Sequence, residues 1–263
     1  MRRIVCTLLC MAMMALPVSS EEGRKRQMPV VEQVAAQEQI QYTPPTVQTE
    51  YSPPSTEPEA PKERKYVALT FDDGPSGRFT RRLLEGLKER EVKATFFLCG
   101  YRLADYKSLA KKIYDQGHEI GLHGYSHENL GKMTAAQIRK ELKDTAALLP
   151  EGCKPTLLRP PGGASGQALG QVCREMELAI INWSVDPRDW ANHDAAVVEA
   201  AVIGQVQSGD IILLHDMCDC SVDAAFGIID KLSAEGFQFV TVSELARIQG
   251  QSVEPGKLYT RFG

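Results

Sequence analysis

The chain has 263 residues, of which 43% are hydrophobic and 24% are charged, and its formal net charge at pH 7 is −4. This is the composition of an ordinary globular protein with enough apolar residues for a core, and the length allows one large domain or two small ones. The small negative charge argues against a nucleic-acid-binding protein, for which a strong basic excess is typical, and it is compatible with a neutral substrate such as a sugar.

The first 64 residues are predicted to lie outside the folded domain. Residues 1–20 join a basic start to an apolar run from Ile4 to Val18, with small residues at Val18 and Ser20, which is typical of a secretory signal peptide. An uncleaved anchor is the alternative, although a membrane span needs roughly 20 apolar residues. Residues 21–64 are rich in Pro, Thr, Ser and Glu and are predicted to be a disordered tether. These segments predict a secreted or cell-envelope-associated protein.

Residues 65–250 are predicted to form a single domain, followed by a tail at 251–263. Short apolar strands are predicted at KYVALTF, ATFFLCG, EIGLHGYSH, PTLLRPPGG, AIINWSV, DIILLH and FQFVTV. Helices are predicted between them, among them one that Thr134 opens and one from Val222 to Glu235. This alternation predicts an α/β fold with a parallel sheet, either a barrel or a doubly wound sheet.

Polar residues follow several of these strands at their carboxyl ends: Asp72, Asp73, His123, Arg159, Asp186, Asp189 and His215. Active sites are built at this edge in both architectures, and we therefore expect these side chains to meet. His123 and His127 are four residues apart and would share one helical face if the chain turned helical after the strand. The alternative is one core histidine and one surface histidine.

Two histidines and one carboxylate form a common catalytic zinc set, and Asp73 is the natural third ligand, which leaves Asp72 free to act as a base. Arg159 precedes a rigid Pro-Pro turn; it either caps backbone carbonyls or holds the base carboxylate in a bidentate pair. Gly162 would let a backbone N–H approach a substrate oxygen. Trp183 is predicted to pack in the core, and Trp190 to stack on a sugar ring.

Five cysteines remain after the predicted signal peptide: Cys99, Cys153, Cys173, Cys218 and Cys220. An odd number leaves at least one thiol without a partner in the chain. Cys218 and Cys220 are spaced too tightly for a usual zinc knuckle and are predicted to be free or redox-labile. A bridge between Cys153 and Cys173 stays open. Because Cys218 and Cys220 follow His215, we also hypothesise that their oxidation state modulates activity.

Five motifs, TFDDG, HGYSH, LRPPGG, DPRDW and LLH, stand in an order and spacing that resemble the polysaccharide deacetylases with the NodB homology domain (carbohydrate esterase family 4). The resemblance covers Tyr66 to about Ile248. It implies a distorted (β/α) barrel that uses zinc, or another divalent metal such as Co²⁺, Mn²⁺ or Ni²⁺. It further implies removal of N-acetyl groups from peptidoglycan or chitin, or of O-acetyl groups from xylan.

The resemblance also implies chemical roles for individual residues. Asp72 matches the general base, His215 the general acid, Arg159 the arginine that orients the base, and Asp189 the carboxylate that tunes the acid. The matching metal ligands are Asp73, His123 and His127.

The remaining matches concern the substrate groove. Trp190 matches the indole that walls the groove, and Leu213 matches the leucine that lines the acetyl methyl pocket. Two positions depart from the family pattern. Gly124 stands where Ser or Thr usually follows the first histidine, and Gly162 stands where an aromatic residue usually follows the double proline. The Gly162 N–H is still available for an oxyanion hole, while the groove is expected to be wider.

These observations predict a deacetylase of N-acetylglucosamine residues in a cell-wall polysaccharide, with peptidoglycan as the first expectation. An O-acetyl xylan esterase, a chitooligosaccharide deacetylase and an N-acetylmuramic acid deacetylase are the enzyme alternatives. A non-catalytic carbohydrate-binding module on the same fold is the alternative of another class, and the complete set of acid, base and metal-binding residues argues against it. No nucleic acid and no stable protein partner are implied.

Overall fold

The computed structural model describes residues 64–263. The helices are α1 (Gly77–Glu89), α2 (Gly100–Asp105), α3 (Lys107–Asp115), α4 (Ala135–Ala146), α5 (Gln167–Glu175), α6 (Ala195–Ile203), α7 (Asp219–Ala234) and α8 (Val242–Ile248). The strands are β1 (Lys65–Asp72), β2 (Thr95–Leu98), β3 (Glu119–Leu122), β4 (Leu157–Leu158), β5 (Ala179–Ile181), β6 (Ile211–His215), β7 (Phe237–Val240) and β8 (Leu258–Tyr259).

The strands form one curled parallel sheet. Its order is β6-β1-β2-β3-β4-β5-β8, and β7 pairs with the first half of β1. Every one of these strand pairs is parallel. Val185, just after β5, makes an isolated parallel bridge with Ile212 of β6. The chain beyond β5 thus returns to the strand at the opposite end of the order, which confirms the predicted distorted barrel.

Strand β1 is central to the fold, and its sequence explains why. Residues 67–72 are all buried, so both faces of the strand are covered, and a nearly continuous apolar run is what such a strand requires. Helix α1 covers one side with Leu83, Leu84 and Leu87, all fully buried at the predicted helical spacing. The strand therefore carries its two terminal carboxylates on a rigid element.

Several element boundaries differ from the predicted ones. Helix α7 begins at Asp219, before the predicted start at Val222, because the Cys218 sulfur accepts the backbone N–H of Ser221 and caps the helix. Short helices α2 and α8 were not predicted. Thr134 does open α4, where its side chain and that of Gln137 form a capping box.

Residues 251–263, predicted as a tail, contribute to the sheet and the core. Strand β8 pairs with β5, and Phe262 is fully buried and stacks on Tyr259 with ring centroids 5.2 Å apart. The folded unit therefore extends beyond residue 250. The predicted signal peptide and all of the predicted tether except Arg64 lie outside the described residues. Within residues 64–263, no helix has both the length and the apolar character needed to cross a membrane.

Candidate active site

Two adjacent carboxylates lie at the carboxyl end of β1. Both approach His123 Nε2, Asp72 Oδ2 at 3.7 Å and Asp73 Oδ1 at 3.3 Å, and Asp72 also pairs with Arg159. Asp72 is the last residue of β1, and Asp73 follows with a φ of 72°, in the left-handed region that few non-glycine residues adopt. This turn leaves the Asp72 side chain 4% exposed and that of Asp73 24% exposed. At position 74, a Cβ would lie 2.6 Å from the Asp216 carboxylate, so glycine is required. The backbone thus separates two neighbouring carboxylates, and each can act on its own.

Asp73, His123 and His127 converge in the cleft. Asp73 Oδ1 lies 3.0 Å from His127 Nε2 and 3.3 Å from His123 Nε2. One ligand atom from each of the three residues lies within 4.8 Å of the others. Two imidazoles and one carboxylate at this spacing form the donor set of a catalytic metal site with room for further ligands.

The hydrogen bonding around this triad fits a cation. His123 Nδ1 donates to the Arg159 carbonyl oxygen at 2.6 Å, so Nε2 presents its lone pair to the cleft. Asp73 Oδ1 is buried and has no hydrogen-bond partner among the described residues. A buried carboxylate oxygen that faces an imidazole lone pair is poorly satisfied by protein alone, and a bound cation would satisfy both.

The two histidines meet through a loop, and not through the helical turn that was considered as one route. Strand β3 ends at Leu122, and both Gly124 and His127 have positive φ, 77° and 62°. The chain therefore doubles back, and the two imidazole rings come to lie with their centroids 5.2 Å apart.

Arg159 is fully buried beneath Asp72. Its Nη1 donates to Asp72 Oδ1 at 2.8 Å and to Thr70 Oγ1 at 2.7 Å. Its Nε and Nη2 donate to the backbone carbonyls of Ile181 and Asn182. The expected bidentate pair with Asp72 is wrong, because a single nitrogen makes that contact. Arg159 thus binds backbone carbonyls, as one interpretation predicted, and also holds the Asp72 carboxylate through one hydrogen bond. Burial lowers the pKa of Arg159, and the charge and hydrogen bond of Asp72 oppose this shift.

His215 lies across the cleft and is held by Asp189. Its Nδ1 donates to Asp189 Oδ1, and its backbone N–H donates to Asp189 Oδ2, both at 2.8 Å. Asp189 is fully buried and also accepts the Ser221 hydroxyl at 2.6 Å. Burial lowers the pKa of His215, but the hydrogen bond and charge of Asp189, with the charges of Asp72 and Asp73, raise it to about 9. The imidazole is therefore a proton donor at neutral pH.

These groups line an open cleft of about 410 Å³. Its lining residues are Asp72, Asp73, His123, His127, Gly162, Trp183, Asp186, Trp190, Leu213 and His215. All predicted site residues except the buried Arg159 and Asp189 thus line one cavity, and those two contact Asp72 and His215 from behind.

The walls of the cleft are partly apolar. Trp190 is 56% exposed, with the Arg188 guanidinium 5.1 Å from its ring, while Leu213 is buried. Trp183, predicted to pack only in the core, is half-buried and also lines the cleft. Gly162 has a φ of 63°, and nothing lies within 4 Å of where its Cβ would be. Its N–H donates to no backbone acceptor among residues 64–263. The cleft is therefore open where an aromatic side chain was expected.

Sequence reasoning missed three polar residues around the site. Ser221 binds Asp189, Glu141 accepts backbone N–H groups between His123 and His127, and Asp216 is buried behind the turn after β1. Asp216 directly follows His215, a position that could have marked it. Ser221 and Glu141 lie on helices, where spacing alone gives no such signal.

The cysteines differ from the sequence expectation. Cys218 and Cys220 form a disulfide, so they are not free thiols, and their redox lability stays a prediction. Cys153 and Cys173 do not bridge, and within residues 64–263 Cys99 forms no disulfide either. Burial raises the pKa of Cys153 to about 11 and that of Cys173 to about 12, so both thiols stay protonated and unreactive.

Known proteins resemble this chain over the same region. The polysaccharide deacetylase family model matches residues 59–181. The peptidoglycan-N-acetylglucosamine deacetylase PgdA of Listeria monocytogenes is 36% identical over 219 residues, which cover 81% of this chain and 46% of that protein. The chain thus spans less than half of the Listeria protein. A peptidoglycan-N-acetylglucosamine deacetylase of Bacillus cereus is 35% identical over 195 residues, which cover 72% of this chain and 92% of that protein.

A solved structure extends the likeness to the fold. The family 4 acetyl xylan esterase from Clostridium thermocellum, in complex with a cobalt ion, superposes with a TM-score of 0.70 at 34% identity. The match covers 75% of this chain and 98% of the esterase. Its name adds a second class of acetylated polysaccharide to the two peptidoglycan deacetylases.

Proposed function

The chain belongs to the polysaccharide deacetylase family, and we propose that it is a metal-dependent hydrolase that removes N-acetyl groups from N-acetylglucosamine residues of peptidoglycan. One observation carries the proposal. Of two adjacent aspartates, Asp73 faces the histidine pair, whereas Asp72 is held by Arg159, and the protonated His215 lies across the same cleft. The residues proposed as base, acid and metal ligands thus line the same cleft.

We propose zinc as the metal, held by Asp73, His123 and His127. When bound there, the metal would polarise the acetyl carbonyl and lower the pKa of a coordinated water to about 7. The cobalt ion in the Clostridium esterase makes cobalt an alternative metal.

The residues of the chain would divide the proton transfers between them. Asp72, held in place by Arg159, accepts the proton of the attacking water. The Gly162 N–H donates to the oxygen on which negative charge develops. His215, kept protonated by Asp189, gives its proton to the departing sugar amine, which is a poor leaving group without it. An amide is hydrolysed slowly in water, and each of these groups would assist one step of its hydrolysis.

The cleft supports a sugar polymer as substrate. The cleft is open to solvent, with an exposed Trp190 and free space at Gly162, and an indole face suits the apolar face of a pyranose. The buried Leu213 would line the pocket for the acetyl methyl group. Peptidoglycan is favoured because the Listeria and Bacillus cereus relatives are named for it.

We further propose that the protein works outside the cytoplasmic membrane, where peptidoglycan lies. The basic and apolar pattern of residues 1–20 supports a signal peptide, or an anchor that keeps the enzyme at the cell envelope.

The test is acetate release from peptidoglycan, chitopentaose and acetylxylan by the purified protein, after chelation and again after addition of zinc. We expect zinc-restored release from peptidoglycan that Asp72→Asn abolishes. Release from acetylxylan alone would assign the protein to the esterases of the family. A protein that binds zinc but releases no acetate from any of the polymers would contradict a deacetylase.

A further inference from the structure

Of the two histidines proposed as metal ligands, His127 has the side chain that the rest of the protein holds less firmly. His123 is 2% exposed, and its Nδ1 is fixed by the Arg159 carbonyl, whereas the His127 side chain is 43% exposed. Among residues 64–263, His127 Nδ1 has no hydrogen-bond partner. The position of His127 Nε2 therefore depends on the backbone that carries it.

That backbone is held from two sides. On one side, the N–H groups of Gly100 and Tyr101, at the start of α2, donate to the carbonyls of Gly124 and Tyr125 at 3.0 and 3.1 Å. On the other side, the N–H of Tyr125 donates to a single carboxylate oxygen of Glu141, Oε2, at 2.7 Å.

Ser126 completes the second contact. Its backbone N–H donates to Glu141 Oε2 at 2.8 Å, and its hydroxyl donates to the same oxygen at 3.0 Å. An ionised acceptor makes hydrogen bonds that are shorter and stronger than those of a neutral one. The loop between the two histidines is therefore tied to Glu141 through three donors.

Glu141 projects from a rigid element. Its neighbours Ile138 and Leu142 in α4 are fully buried, and the capping box at Thr134 fixes the start of the helix. The carboxylate also lies 3.6 Å from where a Cβ of residue 124 would be. Gly124 itself has no side chain that could help to hold the loop.

We propose that Glu141 is a positioning residue of the metal site, which holds the loop 124–126 so that His127 Nε2 stays 3.0 Å from Asp73 Oδ1. Glu141 touches neither substrate nor metal in this role. The inference rests on the metal site of the proposed function. Residues that hold a ligand in place in this way typically contribute 10–100-fold to metal affinity.

The test measures zinc affinity of the metal-free protein by competition with a chromophoric chelator, so that activity is not the readout. We expect Glu141→Ala to weaken zinc binding by about 10–100-fold. Glu141→Gln keeps an oxygen that can accept the same donors and should retain most of the affinity. Asp144→Ala is the matched control, because it removes a carboxylate of the same helix that pairs only with the exposed Lys140 among the described residues.

Two further measurements separate positioning from folding and from catalysis. If Glu141→Ala does not fold, Glu141→Asp withdraws the carboxylate by one methylene and should weaken zinc binding in the same direction. With zinc in saturating excess, Glu141→Ala should regain most of its acetate release, which loss of a catalytic group would prevent. Wild-type zinc affinity in folded Glu141→Ala or Glu141→Asp overturns this inference alone, whereas a wild-type protein that binds no zinc overturns the metal site as well.

Discussion

Asp72 and Asp73 show how one residue step along a chain can separate two chemical roles. The positive φ of Asp73 turns the chain at once, so Asp72 stays against the fully buried Arg159 while Asp73 reaches the histidines. Two negative charges at neighbouring positions repel each other. This arrangement gives each carboxylate a partner of its own, the Arg159 cation for Asp72 and the histidine pair for Asp73.

This separation predicts different effects for the two amide variants. Asp72→Asn should lower kcat by about 10²–10⁴-fold, the usual contribution of a general base, while zinc affinity stays close to wild type. Asp73→Asn should lose zinc binding and, with it, activity. Parallel measurement of kcat and of the zinc dissociation constant checks both. Equal loss of zinc binding in the two variants would contradict the division of roles.

His215 predicts a pH dependence that Asp189 controls. Because the pKa of His215 is about 9, its acid form predominates below that pH, and kcat/KM should fall as pH rises through 9. In Asp189→Asn, the charge that raises the pKa is absent, so it should drop towards or below the ordinary 6.5, and the alkaline limb should move to lower pH. A pH profile of kcat/KM measures this.

The control for that profile is Asp186→Asn in the same segment. Asp186 accepts the backbone N–H of Arg188, so its loss should leave the alkaline limb in place. An unchanged limb in Asp189→Asn would mean that another group sets it.

At the scale of elements, the start of α7 connects a disulfide to His215 through Ser221 and Asp189. Cys218 caps α7 by accepting the N–H of Ser221, and the Ser221 hydroxyl binds Asp189. The disulfide with Cys220 restrains this turn. Reduction with a phosphine should release the turn and lower kcat by about tenfold, the lower end of what one hydrogen bond to a charged group contributes.

Ser221→Ala serves as the comparison, since it lacks the hydroxyl that connects the turn to Asp189. It should show a similar loss of kcat and no further effect of the phosphine. Mass spectrometry must confirm that both thiols are oxidised before treatment and reduced after it. Full turnover by the completely reduced wild type would exclude a role for this disulfide in activity.

The elements also show which features a sequence can reveal. Strand β1 and helices α1 and α4 were predictable from their residue patterns. A strand buried on both faces has a continuous apolar run, and a helix buried on one face repeats apolar residues at helical spacing. The meeting of His123 and His127 was predictable, but its route was not, since a loop with two positive φ values leaves no periodic pattern. Glu141 was not predictable, because its partners are backbone N–H groups, which every residue except proline carries.

At the scale of the whole molecule, the C-terminus completes the core on which the site stands. Phe262 is fully buried in a cluster that includes Phe97 and Ile211, and the Arg159 guanidinium lies 4.2 Å from the centre of the Phe97 ring. The last residues of the chain thus support, through this cluster, the arginine that holds Asp72.

This packing predicts that Phe262→Ala lowers the free energy of unfolding by about 3–5 kcal/mol, because a large buried ring is replaced by a cavity. Urea unfolding followed by circular dichroism measures the change. Leu258→Ala is the control from the same segment, since Leu258 is 44% exposed and its replacement should lower the free energy of unfolding only slightly.

If residues 251–263 were a tail without a structural role, the two variants would unfold at the same urea concentration, and removal of the segment would leave stability unchanged. We expect instead that removal of residues 251–263 exposes the edge of β5 and the apolar cluster beneath it. The shortened protein should then unfold at a lower urea concentration than either variant and lose its activity as it unfolds.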